Sequence, residues 1–376
     1  MKVGIVNYFK MAVACGFVAL FFALRADINL FSLRDFYKNR LVRAYLGATN
    51  PNRHGDVDDF TGFSPTDDLP LWHLRRTRRP YHLINTTLNI VHGSRLAWQE
   101  RKAASFLLSP LYCGYSLSQL EQGDANKTYR STRFYADNGM RRGGLKLGEA
   151  MALSGAALSP NRGKDSTRIL TLLMALLNVR LGGWLPNPRF DERRSSPPIA
   201  GNYLLKELFG LTNEDSRFVN VSDGAHFDNL GVYELVRRRC RMILVVDATE
   251  DTGRVFDALA GCIRKCQIDF NVRIDLDVTR LIPFDQQMSN SAWAVGAIEY
   301  PAHDGETMKG VILYLKASII DTVRHDASLL SYIRMQNMFP HHSTVDQWFG
   351  ESTFESYRAL GEQLADEMYQ KNKNLF

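Results

Sequence analysis

Three groups of residues in this chain are of the types that could do chemistry, and their spacing decides between them. The first is Asp223-Gly224-Ala225-His226, which follows an apolar run reaching Val221. An aspartate in the loop after a strand can orient a hydroxyl or take up its proton, and open α/β sheets place their sites in such loops. A blander reading of the same residues is local: Asp223-Gly224 makes a turn and Asp228 caps the helix that follows. The second group is Ser154-Gly155-Ala156-Ala157, a run of small residues that allows close backbone approach. A nucleophilic serine on a strand-to-helix turn needs Gly-x-Ser-x-Gly. Here positions 152 and 156 are both alanine, which lacks glycine's backbone freedom, so Ser154 and Gly155 are expected to line or support a cleft. The third group gathers metal-type residues: Cys262 with Cys266, His341 and His342 with Asp346, and the aspartates 56, 58, 59, 67 and 68. None has completed ligand spacing, so neither a metal nor another cofactor is expected.

Regular elements must position these groups. From Arg217 to Asp247 the chain reads strand, polar loop, helix, strand, the unit from which parallel sheets are built. Strands are also expected at Tyr81–Val91, at Phe106–Leu111 with a turn at Cys113-Gly114-Tyr115, at Val272–Val278 and at Val311–Ile319. Helical spacing marks Tyr203–Gly210 and Val255–Phe270. The apolar run Ile169–Leu177 predicts a buried helix beside the cleft, stopped by Gly182-Gly183 and Pro186. Ser32 is placed to cap a helix whose apolar face is Leu33, Phe36, Tyr37, Leu41 and Ala44, ending at Gly47. Residues 50–80 form a long polar loop expected to be solvated. The result is an α/β fold with a mixed or parallel sheet.

A chain of 376 residues with 45% apolar and 23% charged residues has ample material for a core. Its net charge of +6 comes from short clusters such as Arg75–Arg79 and Arg237–Arg239, without the basic tract or stacking aromatics of a nucleic-acid binder. No nucleic-acid partner is expected; the clusters face anionic headgroups or water. Five cysteines, odd in number and sparsely spaced, do not describe a disulfide framework and suit a reduced compartment.

Met11–Leu24 is uncharged, with Lys10 before it and Arg25 after. A full bilayer span needs about 20 residues, which this run reaches only if it extends back through Lys10 to Val3. Three readings stand: a short membrane segment, a membrane-associated helix, or a buried helix. Residues 1–26 are therefore set apart from 27–376, and the protein is expected to be membrane-associated or cytoplasmic.

The stretch Asp223–Leu235 resembles the Asp-Gly-Gly/Ala segment of bacterial patatin-like phospholipases, in particular their cytosolic-phospholipase-A2-like branch. Similar elements recur along the chain from Asn29 to Gly361: residues 27–47, with Arg34 at the family's usual histidine; Asn85–Asn89; Leu96–Lys102; Ser154–Pro160; Phe339–Phe349; and Phe354–Gly361. The resemblance implies a patatin-like three-layer sheet-and-helix architecture, incomplete at its N-terminal side. It implies hydrolysis of phospholipid or other acyl-ester lipids by a Ser-Asp dyad. Asp223 would be the dyad's acid, with Gly224 and His226 supporting it.

The sequence contains no Gly-x-Ser-x-Gly and no Gly-Gly-Gly-x-Arg-Gly oxyanion loop, for which Arg142-Gly143-Gly144 is a poor substitute. The expectation is a C-terminal portion whose serine comes from an upstream segment or a partner chain. The alternatives are an inactive truncated homologue that binds membrane or lipid, and a truncated gene product.

Overall fold

The computed structural model describes residues 2–376 except 26, 31, 52, 54–56, 77–79, 94–99, 117–127, 137–143, 157–180, 193, 286–287, 304, 323–326 and 344–348. The expected helix at Ile169–Leu177, and Arg142, Gly143 and Asp346, lie outside the described residues. The chain divides into two compact units, Met1–Phe227 and Asp228–Phe376.

The first unit is built on a six-stranded sheet in the order β4-β3-β2-β1-β6-β5, antiparallel throughout. Its strands are β1 (Ile84–Asn89), β2 (Ala103–Leu108), β3 (Tyr112–Tyr115), β4 (Tyr129–Ser131), β5 (Gly183–Pro186) and β6 (Phe218–Asp223). Leu88, Phe106, Leu108, Tyr115, Leu185, Val219 and Val221 share one core with Leu153 and Ala150. Gly183 begins edge strand β5, and the helix that Gly182-Gly183 was expected to stop lies outside the described residues. The Asn29 side chain substitutes for a neighbouring strand there: it accepts from the Trp184 N–H at 2.8 Å and donates to the Trp184 carbonyl at 2.7 Å.

The helices of this unit are α1 (Lys2–Arg25), α2 (Arg34–Leu41), α3 (Leu147–Ser154) and α4 (Ala200–Leu208). The buried face of α2 differs from the expected one. Leu33, Phe36 and Ala44 are exposed, whereas Arg34 and Val42 are buried. The reason is an ion pair, since the Arg34 guanidinium turns inward and lies 3.5 Å from the buried Glu149 carboxylate on α3. Ser32 does not cap α2 from the N-cap position, which Leu33 occupies.

The loop of residues 50–80 is not wholly solvated. Asp67 and Asp68 are buried; Asp67 accepts from Arg53 and Asn50 at 2.8 Å, and Asp68 accepts from the Gly148 N–H at 2.8 Å. That last bond satisfies one of the unpaired N–H groups in the first turn of α3 and so fixes where α3 begins.

The second unit holds a four-stranded sheet in the order β7-β12-β11-β8, with β7 (Met242–Asp247), β8 (Arg273–Asp275), β11 (Trp293–His303) and β12 (Glu306–Lys316). A short ladder joins β9 (Pro283–Asp285) to β10 (Met288–Ser289). Helices cover both faces of the sheet. Ile243, Val245, Ile312 and Tyr314 pack with α5 (Val232–Arg237) and α6 (Asp257–Phe270), while Leu313 and Leu315 pack with α7 (Ala327–Met335) and α8 (Glu351–Lys371).

β7 and β12 are parallel, yet β6 and β7 lie in different sheets. The expected strand–helix–strand unit therefore has the right elements in the right order but is not one parallel βαβ. Its first strand instead pairs antiparallel with β1 on one side and β5 on the other.

Candidate functional site

The loop after β6 is built from both faces of that strand. Val219 and Val221 enter the apolar core, and Phe218, Asn220 and Ser222 point the other way. All five are buried, so the polar pair needs partners. Asn89 stands opposite on β1 and donates one N–H to Asn220 Oδ1 at 2.7 Å and the other to Ser222 Oγ at 2.8 Å. Asn220 donates in turn to Glu207 Oε1 at 3.0 Å, which also accepts from the Trp184 indole at 2.6 Å. Ser222 Oγ lies 2.8 Å from His226 Nδ1. The hydroxyl can accept a second bond besides the one from Asn89 or donate to the ring, so the direction of this contact follows the His226 tautomer. Sequence reading named His226 but missed this chain. Its signal is the alternation of short polar residues, Asn85-x-Thr87-x-Asn89 on β1 and Asn220-x-Ser222 on β6.

Asp223 is the last residue of β6, and its Oδ1 accepts from the Ala225 N–H at 2.7 Å, closing a short turn over Gly224–His226. Burial pushes its carboxyl up to about 6, with the Ala225 bond opposing the rise. Gly224 is required by space, since a Cβ there would stand 2.8 Å from the Asn85 carbonyl oxygen. Ser154, at the end of α3, donates to that same carbonyl at 2.7 Å. The serine proton is thus committed to the backbone of β1, and the bond ties the end of α3 to the strand beside the Asp223 loop.

Gly155 follows, and a Cβ at this position would lie 2.6 Å from Tyr37 Oη on α2. The Tyr37 phenol is held above its usual range by burial first and by the Asp223 charge second. Four elements thereby bring Asp223, Tyr37, Ser154, Gly155 and Gly224 around Asn85. Tyr37 was read from sequence only as part of an apolar face. The set provides a proton acceptor that titrates close to neutrality and a phenol that stays protonated there. It provides no hydroxyl paired with Asp223 among the described residues.

The loop's blander reading also describes its local geometry. Asp223 does make a turn; Asp228, three residues before the N-cap position that Gly231 occupies, accepts from the first-turn Tyr233 N–H at 2.8 Å and from Leu230 N–H at 3.2 Å.

The second unit has a polar cluster of its own that the sequence did not reveal. Lys316 is wholly buried and donates to Asp247 at 3.2 Å and to the Thr249 carbonyl at 2.9 Å; Tyr314 donates to Asp247 at 2.6 Å. Arg254 donates to His341 Nε2 and to the Asp251 carbonyl. Burial first, then Arg254 and Lys316, lowers His341 to about 4. His342 instead pairs with Tyr357 at 3.0 Å. Among the described residues no group of three or more His, Cys, Asp or Glu side chains is arranged to hold a metal ion.

Set against known families, curated proteins and solved structures, the chain matches none.

Proposed function

We propose that this chain carries the acid-bearing part of a patatin-like lipid acyl-ester hydrolase, with Asp223 as the dyad acid. The observation that supports this reading most is the Asp223 carboxyl itself. It ends a strand, is raised to about 6 by burial, and lies in the Asp-Gly-Ala-His loop next to a small-residue turn and a protonated phenol. In the reaction Asp223 takes the proton of a serine hydroxyl as that serine attacks the ester carbonyl and passes it to the alcohol that leaves when the ester C–O bond breaks; it then takes a proton from the water that hydrolyses the acyl-serine, returning it to the serine as the fatty acid is released. Ser154 is a supporting residue in this reading, because its proton is donated to the Asn85 carbonyl. The serine nucleophile is supplied by a segment or chain other than these 376 residues.

Fluorophosphonate labelling, read by intact mass and peptide mapping, tests the assignment. The folded chain by itself is expected to take no adduct while a known serine hydrolase labels alongside it. Supplied with a Gly-x-Ser-x-Gly-bearing segment encoded in frame upstream of Met1, it is expected to support labelling that Asp223→Asn abolishes. An adduct on Ser154 of the isolated chain, lost in Asp223→Asn, would overturn the supporting role of Ser154.

A second reading, a lipid-surface binder without catalysis, is favoured by α1. No helix among the described residues is long and apolar enough to cross a membrane. Nevertheless α1 exposes Tyr8, Met11, Val13, Phe17, Phe21 and Leu24, between Lys2, Lys10 and Arg25. Such a helix suits the headgroup–acyl boundary, where its apolar side chains are shielded and its basic ends meet anionic lipid. Flotation with vesicles of mixed neutral and anionic phospholipid is expected to carry the full chain and to leave a chain lacking residues 1–26 behind. Equal behaviour of the two would count against membrane association through α1.

A further inference from the structure

β7 is an end strand of the second unit's sheet. One edge pairs with β12, and the other has no strand partner among the described residues. Its side chains alternate. Ile243 and Val245 enter the core and Asp247 meets Lys316, while Met242, Leu244 and Val246 are exposed, Val246 to 67%. On that same face Leu313 and Leu315 of β12 are covered by α7 and α8, and Val295 of β11 is exposed beyond them. Edge strands are ordinarily protected from pairing by a lysine, a proline or a bulge, and Met242–Val246 contains none of these.

The charges sit at the strand's two ends and differ in sign. Arg241 precedes β7 and Glu250 follows it, whereas Arg237 and Arg238 are paired to Glu234, and Asp247 to Lys316, within the same copy. Arg241 and Glu250 are exposed. Two copies of the strand laid antiparallel bring each arginine-bearing end to the other's acidic end, whereas a parallel pairing sets like against like. A two-fold axis normal to the sheet also keeps faces matched, because side chains directly opposite in an antiparallel pair share a face. In that register Leu244 stands opposite the partner's Leu244, and Met242 stands opposite the partner's Val246.

We propose that β7 is a dimerisation edge, on which a second copy of this chain pairs antiparallel and joins two four-stranded sheets into one of eight strands. The arrangement consumes the β7 edge of both copies, and its two-fold symmetry closes this interface at two copies. It is independent of whether Asp223 is catalytic.

The test is the mass of the full 376-residue chain by analytical ultracentrifugation over a wide concentration range, with amide exchange over residues 242–247. A dimer with protected β7 amides is expected. Leu244→Lys, an exposed position, should yield a monomer with unchanged exchange in the rest of the second unit. Arg241→Glu, outside the strand, should weaken the dimer roughly tenfold, and adding Glu250→Arg should restore it. A monomeric wild type, a dimer that survives Leu244→Lys, or a charge reversal without rescue would overturn the proposal. Should Leu244→Lys fail to fold, the charge-reversal pair decides the matter, because it leaves the strand's side chains in place.

Discussion

Replacing Asp223 with asparagine is expected to stabilise the first unit near pH 8, by on the order of 2 kcal/mol, and to change it little near pH 4. The folded carboxyl titrates at about 6 and an unfolded aspartate near 3.8. Between those values the folded state holds a proton that the unfolded state has released. Stability contributed by this group is therefore greatest at low pH and falls as pH rises from about 4 to about 6. The difference corresponds to about 3 kcal/mol at most, reduced here because Asp223 is only partly shielded from water.

Asparagine removes the buried charge and retains an oxygen to accept from the Ala225 N–H. The measurement is amide exchange of β6 and β1 in both proteins at the two pH values. Loss of stability in the mutant near pH 8 would mean that the ionised carboxylate is favoured where it stands, and the case for a tuned proton acceptor would fall with it. A gain is the signature of a residue kept for chemistry at a cost to the fold.

The second large effect runs the opposite way and belongs to the other unit. His341 is buried, titrates at about 4 when folded, and accepts from Arg254 in its neutral form. Above about 6.5 the ring is neutral in both states and adds no pH dependence. As pH falls from 6.5 to 4 the unfolded chain takes up a proton that the folded chain refuses, so the second unit loses on the order of 3 kcal/mol. Burial disfavours the charged ring most, Arg254 and then Lys316 add repulsion, and Asp251 partly offsets them.

His341→Gln retains an oxygen that can accept from Arg254 and cannot titrate in this range. It is expected to flatten the acid limb of exchange in β7, β12 and α6. An unchanged acid limb would show that the second unit's acid sensitivity arises elsewhere. Since Asp223 and His341 act over similar pH windows with opposite signs, a single melting temperature will largely hide both. Exchange resolved by unit will separate them.

Much of the local structure was legible in the residues themselves. Helical spacing located α4 and α6, and alternation or β-branched runs located β1, β6, β8 and β12. These patterns are local because they follow from the period of the backbone and the need to bury one face. The placement of Asp223 after a strand was legible for the same reason, as was the poor fit of Ser154 to a nucleophile turn, which rests on the backbone limits of alanine at 152 and 156.

Partners distant in sequence were decided only by the tertiary structure. Arg34 turns inward because Glu149 waits on α3, and Asp68 is buried because α3 needs a donor satisfied. Tyr37 joins the site because Gly155 leaves room for its hydroxyl. Asn220 and Ser222 are tolerated inside because the Asn89 amide donates to both. β6 and β7 separate into different sheets because strand pairing depends on which edges and faces match, a property of two strands at once. The chain by itself determined its elements and the residue types poised for chemistry. Only long-range burial, which removes water from a carboxylate or an imidazole and makes its neighbours matter, determined what Asp223 and His341 became.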